Sequence, residues 1–177
     1  MPRQIALLRG INLGPRNRVP MPELRELLTE LGYEDVATVV QSGNIVLGST
    51  RPTDLGRDLQ QQIAERFGVD TPVLVRTAGQ LAKVVADNPF PEAAQDPRRY
   101  QVSFLSAKCS PAVARELEAA DIAPEQVAVR GREIYAWHVN GIQRSPLAKL
   151  LTDNKLGAIA TARNWSTVLK LHELAGR

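Results

Sequence analysis

The residues best suited to chemistry are concentrated near the start of the chain. Arg9, Asn12, Arg16 and Arg18 fall within LLRGINLGPRNRVP (Leu7 to Pro20), and Gln41, Ser42 and Asn44 fall within QSGN a little further on. Guanidinium groups present forked N–H donors that match phosphate or carboxylate. Amide side chains present both a donor and an acceptor. Arg3, Arg9, Arg16, Arg18 and Arg25 bracket the opening loop, and no acidic residue precedes Glu23. The chemistry implied is recognition of an anion. The loop has neither G-x-x-x-x-G-K-[ST] nor G-x-G-x-x-G, which speaks against ATP hydrolysis and dinucleotide binding. The same residues also serve as plain turn chemistry, since glycine and asparagine suit turns and a Ser-Gly pair needs no ligand.

A second polar group lies in TARNWSTVLKL near the C-terminus. Arg163, Asn164 and Lys170 suit an anion, and Trp165 suits stacking on a base or ring. The competing reading makes Thr161 or Asn164 a helix cap, packs Trp165 with Val168 and Leu169, and leaves Lys170 in solvent; for Trp165 the packing role is the favoured one. Tyr135 and Trp137 alternate along one strand, as stacking platforms do in single-stranded RNA binders. The first sheet has no such aromatics, and burial is the favoured fate of this pair.

Catalytic groups are sparse. His138 reads as a strand residue, and His172 lies late in a helix, where positive charge meets the dipole favourably. Cys109 follows Lys108 near a helix start, a setting able to lower a thiol pKa, but a plain surface or half-buried thiol is the favoured reading. No G-x-S-x-G elbow and no paired carboxylates of defensible chemistry occur. One cysteine and two distant histidines leave no spaced metal set, so neither a metal nor a cofactor is expected.

The bulk properties fit a folded, water-facing chain. It has 177 residues, 44% hydrophobic and 23% charged, enough to bury a sizeable core. No apolar run approaches the ~20 residues of a membrane span, and Ile5 to Leu8 is too short for a signal-peptide core. These features place the protein in the cytoplasm, away from membranes. The net charge of +3, from 22 basic against 19 acidic residues, permits a nucleic acid partner without requiring one.

The elements that must position these groups follow from periodicity. A strand over Gln4 to Leu8 precedes a helix from Pro22 to Leu31, with leucines at 24, 27, 28 and 31. Strands Val36 to Val40 and Ile45 to Leu47 flank QSGN as a tight hairpin. A helix from Thr53 to Phe67 and the strand TPVLVR complete βαββαβ, the ferredoxin-like order. A helix running to Asp87 and a proline-broken linker follow. The second half repeats the topology without a repeat of letters: strand YQVSFL, helix Pro111 to Ala120, hairpin QVAVR/EIYAWHV, helix Ser145 to Leu151, and a last helix from Asn164 to Ala175. The expected organisation is a ferredoxin-like half over 1–77, a helix and Pro-rich linker over 78–99, and a second such half with a terminal helix over 100–177. The fold class is α+β: two ferredoxin-like βαββα(β) halves packed together, antiparallel sheets with helices on one face. In this topology the first and second strands run the same way, so the loop after strand one and the QSGN turn meet at one edge.

The blocks L-R-G-I-N (Leu8 to Asn12), V-P-M (Val19 to Met21), Q-S-G-N (Gln41 to Asn44) and R-N-W (Arg163 to Trp165) carry a further signal. Through them nearly the whole chain resembles the bacterial family catalogued as domain of unknown function 1697. Gly14-Pro15-Arg16 departs from that pattern, in which a second glycine and a lysine are more usual. The resemblance implies two ferredoxin-like halves and brings no activity, substrate or catalytic residue. It also suggests that the R-N-W block and the first loop share a surface.

The leading functional expectation is a small binding protein with a basic polar groove for an anionic ligand, nucleic acid or nucleotide. Its candidate ligand-binding residues are Arg9, Asn12, Arg16, Arg18, Gln41, Ser42, Asn44, Arg163, Asn164 and Lys170. Two other classes are set beside it: an enzyme acting on a small phosphorylated or carboxylated metabolite, and a structural or oligomeric module in which the same residues only hold the fold.

Overall fold

The structure is a computed structural model that describes residues 2–50 and 54–177. It divides into two compact units, one of residues 1–83 with 169–177 and the other of residues 84–168. In the first unit, β1 (Arg3–Leu8) leads to α1 (Met21–Glu30), β2 (Glu34–Val39), β3 (Asn44–Gly48), α2 (Leu55–Phe67) and β4 (Val73–Thr77). The sheet order is β2-β3-β1-β4, antiparallel at every pairing. This is the ferredoxin-like order read from the sequence.

Alternation along the strands decides which side chains meet the helices. Ala6 and Leu8 of β1 and Ile45 and Leu47 of β3 join Leu24 and Leu28 of α1 and Leu59 and Ile63 of α2 in one buried cluster. The other face carries Ile5, Leu7, Val46 and Leu74, also buried. Helix α1 starts with Pro22 in its first turn, where a missing N–H costs nothing. Helix α2 is capped by Asp54, which accepts from Arg57 N at 3.2 Å, and stops at Gly68 in the left-handed region. Thr53, the expected start of this helix, lies outside the described residues. QSGN is looser than a two-residue hairpin: residues 40–43 form the turn and Asn44 is already in β3, opposite Val39.

Helix α3 (Ala78–Ala86) leads into the second unit, which contains β5 (Tyr100–Leu105), α4 (Pro111–Glu118), β6 (Gln126–Arg130), β7 (Glu133–Trp137), α5 (Asp153–Leu156) and β8 (Ala160–Asn164), followed by α6 (Trp165–Ala175). Its sheet order, β6-β7-β5-β8, repeats that of the first unit. Hydrogen bonds recur with it. Leu8 N donates to Gly43 O (2.9 Å) as Leu105 N does to Arg132 O (2.8 Å), and Arg9 N donates to Pro72 O (3.2 Å) as Ser106 N does to Ile159 O (2.9 Å). Arg76, opposite Ile5, and Arg163, opposite Val102, are both buried, and each donates to the carbonyl of the residue before it.

Two expectations for this half are corrected. Ser145 to Leu151 is not an α-helix but holds the short 3₁₀ turn Ala148–Leu150, after another at Ile142–Arg144. Pro146 pushes Ser145 out of helical backbone, to φ −88° and ψ 116°. The Leu147 N–H is also drawn off to Glu125 Oε1 (3.1 Å). Second, Arg163 and Asn164 end a strand rather than begin a helix. The segment ATARN has weak intrinsic strand preference, and pairing with β5 from Gln101 to Leu105 makes it one. Among the described residues, no helix is long and apolar enough to cross a membrane.

The register at the β1–β3 edge yields a test. Gly43 has φ +78°, and a Cβ there would sit 2.6 Å from Leu8 Cβ, whereas Gly10 has φ +65° and open space around it. Gly43→Ala is expected to destabilise by about 3 kcal/mol, combining left-handed strain with overpacking, and Gly10→Ala by only about 1 kcal/mol. Urea midpoints of the two variants check the ranking.

Candidate functional site

The strands β1 and β2 run in the same direction with β3 between them, so their C-terminal ends share one edge of the first unit. The chain after Leu8 would drift from this edge if nothing tied it down, and Asn12 is the main tie. Its Nδ2 donates to Val19 O and to Gln41 O, both at 2.8 Å, and its Oδ1 accepts from Val19 N at 2.9 Å. One side chain thus joins the two ends of the first loop to the β2–β3 turn. Asn12 N also donates to Asn17 O (3.0 Å), and Thr71 Oγ1 donates to Arg9 O. Gly10, Asn12, Asn17 and Val40 all have φ between 52° and 65°. Val40 is β-branched and exposed, so its left-handed backbone is a strained feature of this edge.

The predicted site residues separate into distinct settings. Arg16, Arg18, Gln41 and Ser42 are exposed, Asn12 and Arg9 are half-buried, and all six belong to the converged loops. Among the described residues, the guanidinium groups of Arg16 and Arg18 have no hydrogen-bond or ion-pair partner. Leu13, between them and Asn12 in the chain, is 83% exposed. Asn44 differs from the expectation of an outward amide: it is fully buried, and its Nδ2 donates to Val39 O at 2.9 Å, closing the hairpin from inside.

The C-terminal group does not form one exposed cluster. Arg163 is 7% exposed, with Nη1 donating to Thr161 Oγ1 (2.6 Å) and Ala162 O (2.9 Å). Burial lowers its pKa to about 10. Asn164 is half-buried and accepts from Gln101 Nε2 at 2.9 Å. Lys170 is exposed on α6, its Nζ 3.5 Å from Glu173 Oε2. Arg163 and Asn164 belong to the second unit and Lys170 to the first.

The aromatic residues pack instead of forming an open platform. Trp165 is buried, with its ring centroid 5.1 Å from that of Tyr100, and Tyr100 stacks on Tyr135 at 6.4 Å. The Tyr135 hydroxyl donates to Val84 O (2.6 Å) and Trp137 Nε1 to Asp96 (3.1 Å). Cys109 is half-buried, and that burial pushes its thiol up.

His138, read from the sequence as a plain strand residue, is the core of a buried polar cluster. Its Nδ1 lies 2.7 Å from Ser145 Oγ and 3.3 Å from Glu125 Oε2. Ser145 Oγ donates to Glu125 Oε2 (2.5 Å) and accepts from Ala148 N (2.9 Å). Burial lowers the His138 pKa, against the opposing pull of Glu125. The neutral ring therefore has one proton to place. The Ser145 hydroxyl points its own hydrogen at the carboxylate, so it receives a hydrogen from His138, which places the ring proton on Nδ1 and leaves Nε2 a lone pair. Glu125 and Ser145 carry no motif spacing to His138, and only the fold reveals them. Among the described residues, no group of three or more His, Cys, Asp or Glu is arranged to hold a metal ion.

Residues 1–135 match the family described as "Protein of unknown function (DUF1697)". The chain belongs to this family. A solved structure with the same fold is that of the conserved bacterial protein SP0830 from Streptococcus pneumoniae. It is 23% identical, with a TM-score of 0.78 over 98% of each chain. That likeness concerns the fold alone. No curated protein matches the sequence.

Two predictions follow from these geometries. Asn12→Ala removes three hydrogen bonds and a residue type tolerant of positive φ, so a loss of about 2 kcal/mol is expected in urea unfolding. Asn12→Asp gives no rescue, because it turns the Nδ2 donor into an acceptor facing two carbonyls. For His138, the unfolded chain takes up a proton near 6.5 that the folded ring resists. Stability is therefore lost as pH falls below about 6.5 and through the folded pKa. His138→Gln is expected to show a smaller drop in urea midpoint between about pH 7.5 and 5.5, and an unchanged drop would refute this role.

Proposed function

We propose that the loop edge of the first unit is a binding surface for an anionic ligand, and that the ligand is the phosphate backbone of a nucleic acid. The observation that carries this reading is a difference between two units of the same topology. In the second unit the strand-to-helix connection takes five residues, 106–110, and the matching hairpin turn takes two, 131–132. In the first unit the same connections take twelve, 9–20, and four, 40–43. The fold closes with the shorter version, so the extra chain is available for another purpose, and it carries Arg16, Arg18, Gln41 and Ser42 on its exposed side. Loops on a rigid sheet are the usual seat of recognition.

Backbone phosphates fit this edge better than a single enclosed phosphate. The guanidinium groups of Arg16 and Arg18, without a partner among the described residues, stand on an exposed loop, where they meet successive charges of a polymer. Asn12, with its three hydrogen bonds into the loop, is a positioning residue rather than a contact.

A salt titration of binding to short RNA and single-stranded DNA tests the proposal. Each phosphate contact contributes about 0.7 to the slope of log affinity against log salt for single strands. The double variant Arg16→Ala/Arg18→Ala should reduce the slope by about 1.4 and weaken all sequences alike. Absence of salt-sensitive binding by the parent protein removes the nucleic acid reading. Competition by a free mononucleotide at equal phosphate concentration would replace it with a nucleotide site.

A further inference from the structure

The second unit contains a cavity of about 190 Å³ on the helix-facing side of its sheet. Gln101, Ser103 and His138 supply its polar lining, and Ala148, Leu151 and Ala160 its apolar wall. That is room for several water molecules or for one small organic molecule.

The polar lining is held from behind and open in front. His138 is 1% exposed, and Ser145 and Glu125 engage only its Nδ1. Among the described residues, Nε2 has no partner. Ser103 is 3% exposed, and its hydroxyl likewise makes no hydrogen bond to a described residue. Gln101 is fixed by its bond to Asn164 (2.9 Å). Both side chains line the same small pocket, and neither polar atom is sealed from solvent, so a guest that enters takes up hydrogen bonds otherwise made to water. A carboxylate that orients imidazole through Nδ1 and leaves Nε2 to face a guest is an arrangement suited to receiving a proton donor.

We infer that this cavity is a binding site for a small uncharged molecule with an N–H or O–H donor, which His138 Nε2 accepts while Ser103 completes the hydrogen bonding. An anion would face the Nε2 lone pair, with the Glu125 carboxylate behind the ring. A transition metal would find a single imidazole, short of the ligand number such ions take. The ligand chemistry and the unit both differ from those of the anionic edge, so the two readings stand or fall separately.

Long-range ¹H–¹⁵N NMR of the full chain tests this with acetamide as the donor probe and acetone as a near match in shape without a donor. His172→Gln assigns the ring signals. At about pH 8, where imidazole is neutral, His138 should show a protonated Nδ1 and an unprotonated Nε2. Acetamide should shift the Nε2 signal saturably and bind at least about tenfold more tightly than acetone. Ala162→Leu, at the exposed part of the lining on β8, should weaken acetamide about tenfold while leaving the Nδ1–H signal in place. An Nε2–H tautomer, a response to acetone equal to that of acetamide, or no saturable response overturns the inference.

Discussion

The antiparallel pairing of β1 with β3, ended by the bond from Leu8 N to Gly43 O, is the constraint on which the candidate edge depends. Because side chains alternate along a strand, this register sends Ala6, Leu8, Ile45 and Leu47 to the helices and Ile5, Leu7 and Val46 to the other face. A slip by one residue would exchange the two sets. The same register brings Gly43 against Leu8 and Ile11, where a side chain has no room. It also brings the Gln41 carbonyl within reach of Asn12. The loop geometry is therefore a consequence of sheet pairing.

Residue types that look alike in the sequence acquire opposite tasks through burial. Asn12 and Asn44 turn inward to backbone carbonyls, while Gln41 and Ser42 stay exposed. Arg16 and Arg18 present their charge on a loop, whereas Arg163 lies within a sheet and binds its own strand. The inward groups give the edge its shape, and the outward ones give it charge. Removing a buried group leaves its partners unsatisfied, so errors there act on stability before they act on binding.

The two units use one topology in different ways. The first lengthens the connections at its strand ends and keeps its helix-facing core apolar. The second keeps those connections short and places polar groups beneath the segment between β7 and β8, where Glu125, His138 and Ser145 meet. Pro146 and the Glu125 bond to Leu147 N shape that segment into 3₁₀ turns instead of a helix, and the cavity beside His138 lies against it.

Periodicity and turn chemistry sufficed for the ferredoxin-like order, the leucine face of α1, and the meeting of the first loop with QSGN, because these rest on local pattern and on the short list of ways four strands pair. Family membership was likewise legible, through the blocks at Leu8 to Asn12, Val19 to Met21 and Gln41 to Asn44. Only tertiary structure decided that Ala160 to Asn164 is a strand, that Asn44 and Arg163 are buried, and that His138 shares a buried cluster with Glu125 and Ser145. Each of these depends on partners distant in the chain: strand pairing with β5 overrides weak local propensity, and burial is set by whatever packs across a residue rather than by its neighbours in sequence.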